Sequence, residues 1–181
     1  MKASGVAEIS LGIESGSSGT LKRIQKGITV EQVMKAVSII KHEKVQLGAN
    51  FIIGFPWETK DDINATLSLV KEVDADTVGI YMATPFPGTE IYQICKDEGL
   101  LPEKIDYSSF FLMRPDFCLS HNIPKEEMIE IMKRGQEMMG AHNRSKFRQF
   151  ALKHPFYAFQ KFIKGGYYRP GSLKALLRQM R

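Results

Sequence analysis

Hydrophobic positions along the chain alternate between short dense runs and stretches spaced at three and four residues. Residues 7–14 (AEISLGIE) are apolar and β-branched and run into Ser15-Gly16-Ser17-Ser18-Gly19, a turn cluster, which predicts a strand and its exit loop. Thr29 can cap a helix whose apolar positions Val30, Val33, Val37 and Ile40 share one face, with Gln32 placed as its capping-box partner. A second dense run, 47–55 (LGANFIIGF), stops at Pro56. Thr59 and the pair Asp61-Asp62 then supply a cap and favourable charge for a helix that buries Ile63, Leu67 and Val70. The third run, 77–83 (TVGIYMA), ends at Thr84-Pro85-Phe86-Pro87-Gly88-Thr89, and a short helix follows to about Glu98, stopped by Gly99.

The order β-α-β-α-β-α, with strand starts near 7, 47 and 77, leaves each repeat enough chain for a strand, a crossover helix and two loops. This predicts an α/β protein of three parallel βα units with right-handed crossovers. The second and third runs are almost continuously apolar, as expected of strands covered on both faces. Three parallel strands do not close a barrel, and bare edges invite aggregation, so the remaining strands are expected upstream or on a partner. Residues 100–123 read as an irregular connector. Pro124 then suits the first turn of a long helix to about His142, with Glu126 and Glu127 near its start and Met128, Ile131, Met132 and Met139 along one side. Pro155 and Pro170-Gly171 punctuate two further short helices, the last capped by Ser172. Two regions are expected: 1–105, holding the βα units, and 106–181, a connector and basic helical extension.

Composition narrows the class. With 181 residues, 43% of them apolar and 25% charged, the chain is an ordinary globular protein with one domain and an appendage. No apolar run approaches the roughly 20 residues that span a bilayer, and the N-terminus lacks the apolar stretch of a signal peptide, so a cytoplasmic location is expected. Cys95 and Cys118 read as free thiols, and two thiolates cannot make an iron–sulfur site, which takes three or four. The net charge of +5 is an average of unlike regions: residues 144–181 hold ten Lys or Arg and no acid, while the rest carries a net of −5. That tail also holds eight of the eighteen aromatics. Such a mixture can bind RNA or an anionic membrane surface, although Phe156, Phe159 and Phe162 at i, i+3, i+6 make an apolar stripe of the kind that packs on its own protein.

In parallel α/β proteins, ligands gather at the carboxyl ends of strands. The candidates there are residues 14–17 after the first strand, 50–59 around the second and 84–89 after the third. Gly54 and Pro56 make a tight turn that lets a planar group approach the backbone, and Glu14 and Asn50 can each bind a sugar hydroxyl. Glu58-Thr59 reads as a helix-start device, and Thr89 as a cap. None of the four histidines has a partner at metal-ligand spacing, and no nucleophile elbow is present.

Taken in order, LGIESGS (11–17), LKRIQKGIT (21–29), FIIGFPWETKDDINAT (51–66) and TPFPGTEIY (84–92) resemble the radical S-adenosylmethionine superfamily. The nearest likeness is to the cobalamin-associated branch typified by the anaerobic magnesium-protoporphyrin monomethyl ester cyclase, with methylthiotransferases more distant. The resemblance covers about the first 100 residues and implies the fourth to sixth strands of a partial TIM-like (β/α)6 barrel. Members reduce S-adenosylmethionine with a [4Fe–4S] cluster to make a 5′-deoxyadenosyl radical. The resemblance implies that Glu14, with Ser15 beside it, and Asn50 hold the ribose hydroxyls. Ile52 and the turn at Gly54 would contact adenine, with backbone near Met82 completing the slot. Relatives often carry Asp where Asn50 stands.

The CxxxCxxC cluster motif, which lies upstream in relatives, is missing here, as is any cobalamin-binding domain. The expectation is therefore a carboxyl-terminal part of a longer enzyme, partnered by its missing N-terminal half and unable to cleave S-adenosylmethionine alone, with no metal ligand and no catalytic residue of its own. The rival is a non-catalytic module that presents residues 144–181 to RNA or anionic lipid.

Overall fold

The computed structural model describes residues 4–101 and 119–156. Cys118, most of the expected connector, the Phe159 and Phe162 part of the aromatic stripe and the helix expected at Ser172 lie outside the described residues. Contacts divide the chain into two compact units, Met1–Met139 and Gly140–Arg181.

The first unit is the α/β body. Its three strands, β1 (Glu8–Glu14), β2 (Gln46–Ile53) and β3 (Thr77–Met82), form a parallel sheet in the order β1-β2-β3. Between them run α1 (Ser18–Arg23), α2 (Val30–His42) and α3 (Lys60–Val73), and α4 (Glu90–Asp97) follows β3. The caps carry much of the local specification. Thr29 and Gln32 form the expected capping box at α2, and Thr59 forms another with Asp62 at α3, each interaction contributing about 1 kcal/mol. Thr89 caps α4, and Gly99 follows it with φ +68°.

Three expectations need correction. The Ser15–Gly19 cluster is not only a loop: Ser17 caps the six-residue α1, whose Ser-Gly start reads locally as a turn. The long helix does not stop at His142. As α5 (Lys125–Lys153) it continues until the residue before Pro155, where the proline ring disfavours a helical backbone. Its residues from Gly140 onward belong to the second unit, in which Leu152 and Phe156 are exposed.

The third correction concerns the sheet. Leu47, Ala49, Phe51 and Ile53 of β2, with Val78, Ile80 and Met82 of β3, are buried in one cluster with α2, α3 and the start of α5. The opposite face carries Ser10, Gly12, Asn50, Ile52, Gly79 and Tyr81, none of which joins that cluster. Exposure alternates along β3, and along β2 beyond Ala49, so the strands are not covered on both faces among the described residues. The runs looked uniformly apolar because glycine counts as neither core nor solvent-facing.

Candidate functional site

The open face of the sheet is floored with small residues. Gly12, Asn50 and Gly79 lie side by side on the three strands. At both glycines a side chain would collide with polar groups laid across the sheet. A Cβ on Gly12 would stand 2.7 Å from Glu14 Oε1, and one on Gly79 would stand 2.6 Å from Asn50 Oδ1 and 2.8 Å from Tyr81 Oη. Glycine inside a strand commonly marks such a close approach. Asn50 Nδ2 donates to Ser10 Oγ (3.1 Å), which turns the amide oxygen toward β3. Ile52 lies two residues on, beside Tyr81.

Glu14 reaches this floor through backbone distortion. The β1–β2 register slips between Gly12 and Glu14, and Glu14 adopts φ +68°, the left-handed region that a non-glycine residue enters at a cost. Its carboxylate folds back over Gly12 and meets Lys26 Nζ at 2.8 Å. Glu14, Asn50 and Ile52 thus stand at one surface.

The other residues singled out from sequence sit elsewhere. Ser15 is fully buried, its hydroxyl bonded to Thr66 Oγ1 (3.0 Å) and accepting from Ser17 N (3.1 Å). It fastens the loop to α3, as does Gly16, whose N–H donates to Thr66 Oγ1 and whose missing Cβ would lie 2.5 Å from the Ala65 carbonyl oxygen. Ser17 adds a hydrogen bond to Asp62. Partial burial works to raise the Asp62 pKa, but hydrogen bonds from Ser17 and Thr59 outweigh it and hold the carboxyl below its ordinary value. Met82 is buried, its side chain packed against Gly54 on the core side.

Gly54, at φ +83°, turns the chain out of β2. Glu58 holds that turn: Oε2 accepts from Gly54 N (2.7 Å) and Phe55 N (3.1 Å), and Oε1 accepts from Thr20 Oγ1 of α1 (3.2 Å). The Glu58 side chain is wholly buried, and burial pushes its pKa up to about 7 even though these donors favour the charged form. Glu58 therefore belongs to the site's scaffold rather than to a helix start alone. Phe55 stacks on Trp57 at 5.3 Å, and the Arg23 guanidinium covers the indole at 4.3 Å. Behind the turn, His121 N donates to the Pro56 carbonyl and Asn122 Nδ2 to that of Trp57, so residues 119–123 strap it down.

Sequence reasoning missed Glu58, Lys26 and Tyr81. Gly12 and Gly79, isolated within strand patterns, were the available signal for the floor. No comparable signal marks Glu58, because a surface acid ahead of a helix has the same local pattern.

The space over the two glycines is taken by Glu14, Asn50 and Tyr81, whose polar atoms line this face, and Glu14 Oε2 has no hydrogen-bond partner among the described residues. A metal cluster does not fit. Among the described residues no three His, Cys, Asp or Glu come together, and Cys95 lies buried in α4 with its thiol pKa pushed up to about 11, by burial first and then by Glu98. No described helix is long and apolar enough to cross a membrane.

No family model matches the chain. Curated relatives do. An uncharacterized methyltransferase of Pyrococcus horikoshii is 39% identical over 101 residues, covering 56% of this chain and 22% of the relative. A tRNA-2-methylthio-N(6)-dimethylallyladenosine synthase of Clostridium tetani is 36% identical over 104 residues, with the same two shares. Its namesake in Treponema pallidum is 36% identical over 86 residues, 46% of this chain and 19% of the relative. The chain thus spans about a fifth of the length of the curated relatives it matches. These similarities agree with the resemblance at the level of the radical S-adenosylmethionine superfamily and do not extend to its cobalamin-associated branch.

Proposed function

We propose that the chain is a carboxyl-terminal part of a radical S-adenosylmethionine enzyme, in which β1–β3 are the fourth to sixth strands of a partial (β/α)6 barrel and their open face holds the nucleoside half of the cofactor. The observation that carries this reading is the floor Gly12–Asn50–Gly79, with the Glu14 carboxylate laid across one end of it. When bound, S-adenosylmethionine supplies a radical-forming sulfonium. This chain's own residues would orient it.

Glu14 Oε2 accepts a ribose hydroxyl, Asn50 Oδ1 is placed for a second, and Ile52 with the Gly54 turn forms an apolar wall for adenine. Ser15, met by Thr66, and Glu58, met by Gly54 and Phe55, keep the two loops in place while the ligand enters. The iron–sulfur cluster would be held by the missing N-terminal half, since this chain's thiols do not provide a site. Membership of the cobalamin-associated branch belongs to the same proposal and rests on the motifs, with cobalamin held outside this chain. tRNA is the first substrate to test, because two of the matched relatives are named for its modification.

The test joins the chain to an upstream half carrying CxxxCxxC, loads the cluster without oxygen, and measures S-adenosylmethionine binding and cleavage. Glu14→Ala is expected to weaken binding by about ten- to a hundredfold, the worth of a charge-assisted hydrogen bond. Unchanged binding in both Glu14→Ala and Asn50→Ala would remove the assigned contacts.

A further inference from the structure

Helix α5 changes character part-way along its length. Its first half buries Met128, Ile131, Met132 and Gly135 and mixes both signs of charge. From Gly140, where the second unit begins, the same helix runs on to Lys153 without burying a single residue. The acids disappear over that stretch, leaving Arg144, Lys146, Arg148 and Lys153. Residues 157–181 continue the composition, with six more Lys or Arg and no Asp or Glu. Apolar side chains persist nonetheless. Leu152 is 82% accessible and Phe156 72%, the two barest large apolar side chains among the described residues, and they stand four positions apart.

A helix with no buried face is marginal in water, because helices draw most of their stability from packing an apolar stripe. A stretch built for solvent alone would drop its Leu and Phe and mix its charges. The residues kept here suit a negatively charged layer backed by hydrocarbon: apolar groups that enter the acyl boundary, and cations that meet lipid phosphates. Their placement agrees. At about 100° per residue, Leu152 lies roughly 80° round the helix from Arg144 on one side and about 100° from Lys153 on the other, so exposed cations flank the bare leucine. The Arg144 guanidinium reaches back along the helix, its Nη1 standing 3.1 Å from where a Gly140 Cβ would be. RNA offers phosphates but no apolar layer, and Leu152 has no ring on which a base could stack.

We infer that the segment 140–156 is a docking surface for an anionic lipid bilayer. It lies in the headgroup plane, with Leu152 and Phe156 entering the acyl boundary and Arg144 and Lys153 on lipid phosphates. The contact is interfacial, since no described helix is long and apolar enough to cross a membrane. It stands apart from the nucleoside reading, because it needs neither a cofactor nor an upstream half.

The experiment uses the full 181-residue chain in cosedimentation with vesicles of phosphatidylcholine alone and of phosphatidylcholine mixed with phosphatidylglycerol. Binding is expected to the mixed vesicles only, and to weaken as salt is raised. Arg144→Gln with Lys153→Gln should lower the partition coefficient about tenfold, and Leu152→Ser with Phe156→Ser by about the same factor at unchanged charge. Lys35→Gln with Lys41→Gln, on α2, removes equal charge elsewhere and should leave binding intact. All six side chains are exposed, and matching unfolding curves verify that each variant keeps its fold. Equal binding to the neutral vesicles, or binding to neither, overturns the inference. Undiminished binding in either the cation or the apolar variant overturns it as well, because the surface needs both. Transfer RNA is the competing arm: a chain that retains it but not the mixed vesicles carries a nucleic-acid surface instead.

Discussion

The two faces of the sheet are built on opposite principles. On the core face, Leu47, Phe51, Ile53, Ile80 and Met82 are all but inaccessible and interlock with α2, α3 and α5, so each side chain is placed by the volume around it. On the open face, side chains are placed by what is missing beneath them: Glu14 rests where Gly12 has no Cβ, and Asn50 and Tyr81 lie over Gly79. Volume fixes the first face and vacancy shapes the second. Substitutions should therefore damage stability on one side and recognition on the other.

The largest effect is expected on the core face. Phe51→Ala should cost about 3–5 kcal/mol in denaturant unfolding, through lost burial and the cavity left among three helices. A loss below about 1 kcal/mol would show that this face is not the packed one.

Next comes the boundary between the faces, where Glu58 holds the turn out of β2. Burial raises its pKa from the ordinary 4.5 to about 7, so the folded state binds its proton more tightly than the unfolded chain does. Stability is thus fully present below about pH 4.5 and falls as pH rises toward 7, by about 3 kcal/mol in the limit where no other group compensates. Glu58→Gln can accept from Gly54 and Phe55 and donate to Thr20, so it should flatten that slope in unfolding curves taken from pH 4 to 8. An unaltered slope in Glu58→Gln would assign the pH dependence to other groups.

The smallest effect on stability belongs to the open face. Gly12→Ala should alter unfolding by about 1 kcal/mol or less, since the colliding atom is the end of the flexible Glu14 side chain. Nucleoside binding should nevertheless fall about tenfold as the carboxylate is displaced. A variant that unfolds more easily yet binds normally would invert the comparison.

Legibility from sequence followed the range of the interactions concerned. Thr29 with Gln32, Thr59 and Thr89 were readable as caps because a cap and its partners lie within four residues. Apolar spacing located α2, α3 and all three strands. The short α1 escaped although its cap is equally local, Ser17 Oγ accepting from Thr20 N, because its Ser-Gly start reads as a turn. α5 runs past the expected end near His142 because no residue from Asn143 to Lys153 forbids helix.

Glu14 and Asn50 were legible as candidates from chemistry and strand-end position, whereas their surroundings were not. Residue types and local spacing settled where the chain would coil or extend, because those preferences act over a few bonds. Only the assembled sheet decided that Glu58 would be buried against Thr20, that Ser15 would face α3, and that Lys26 would cross to Glu14. Each of those outcomes depends on which segments the parallel sheet brings side by side, Glu58 to Thr20 and Ser15 to Thr66 across 38 and 51 positions.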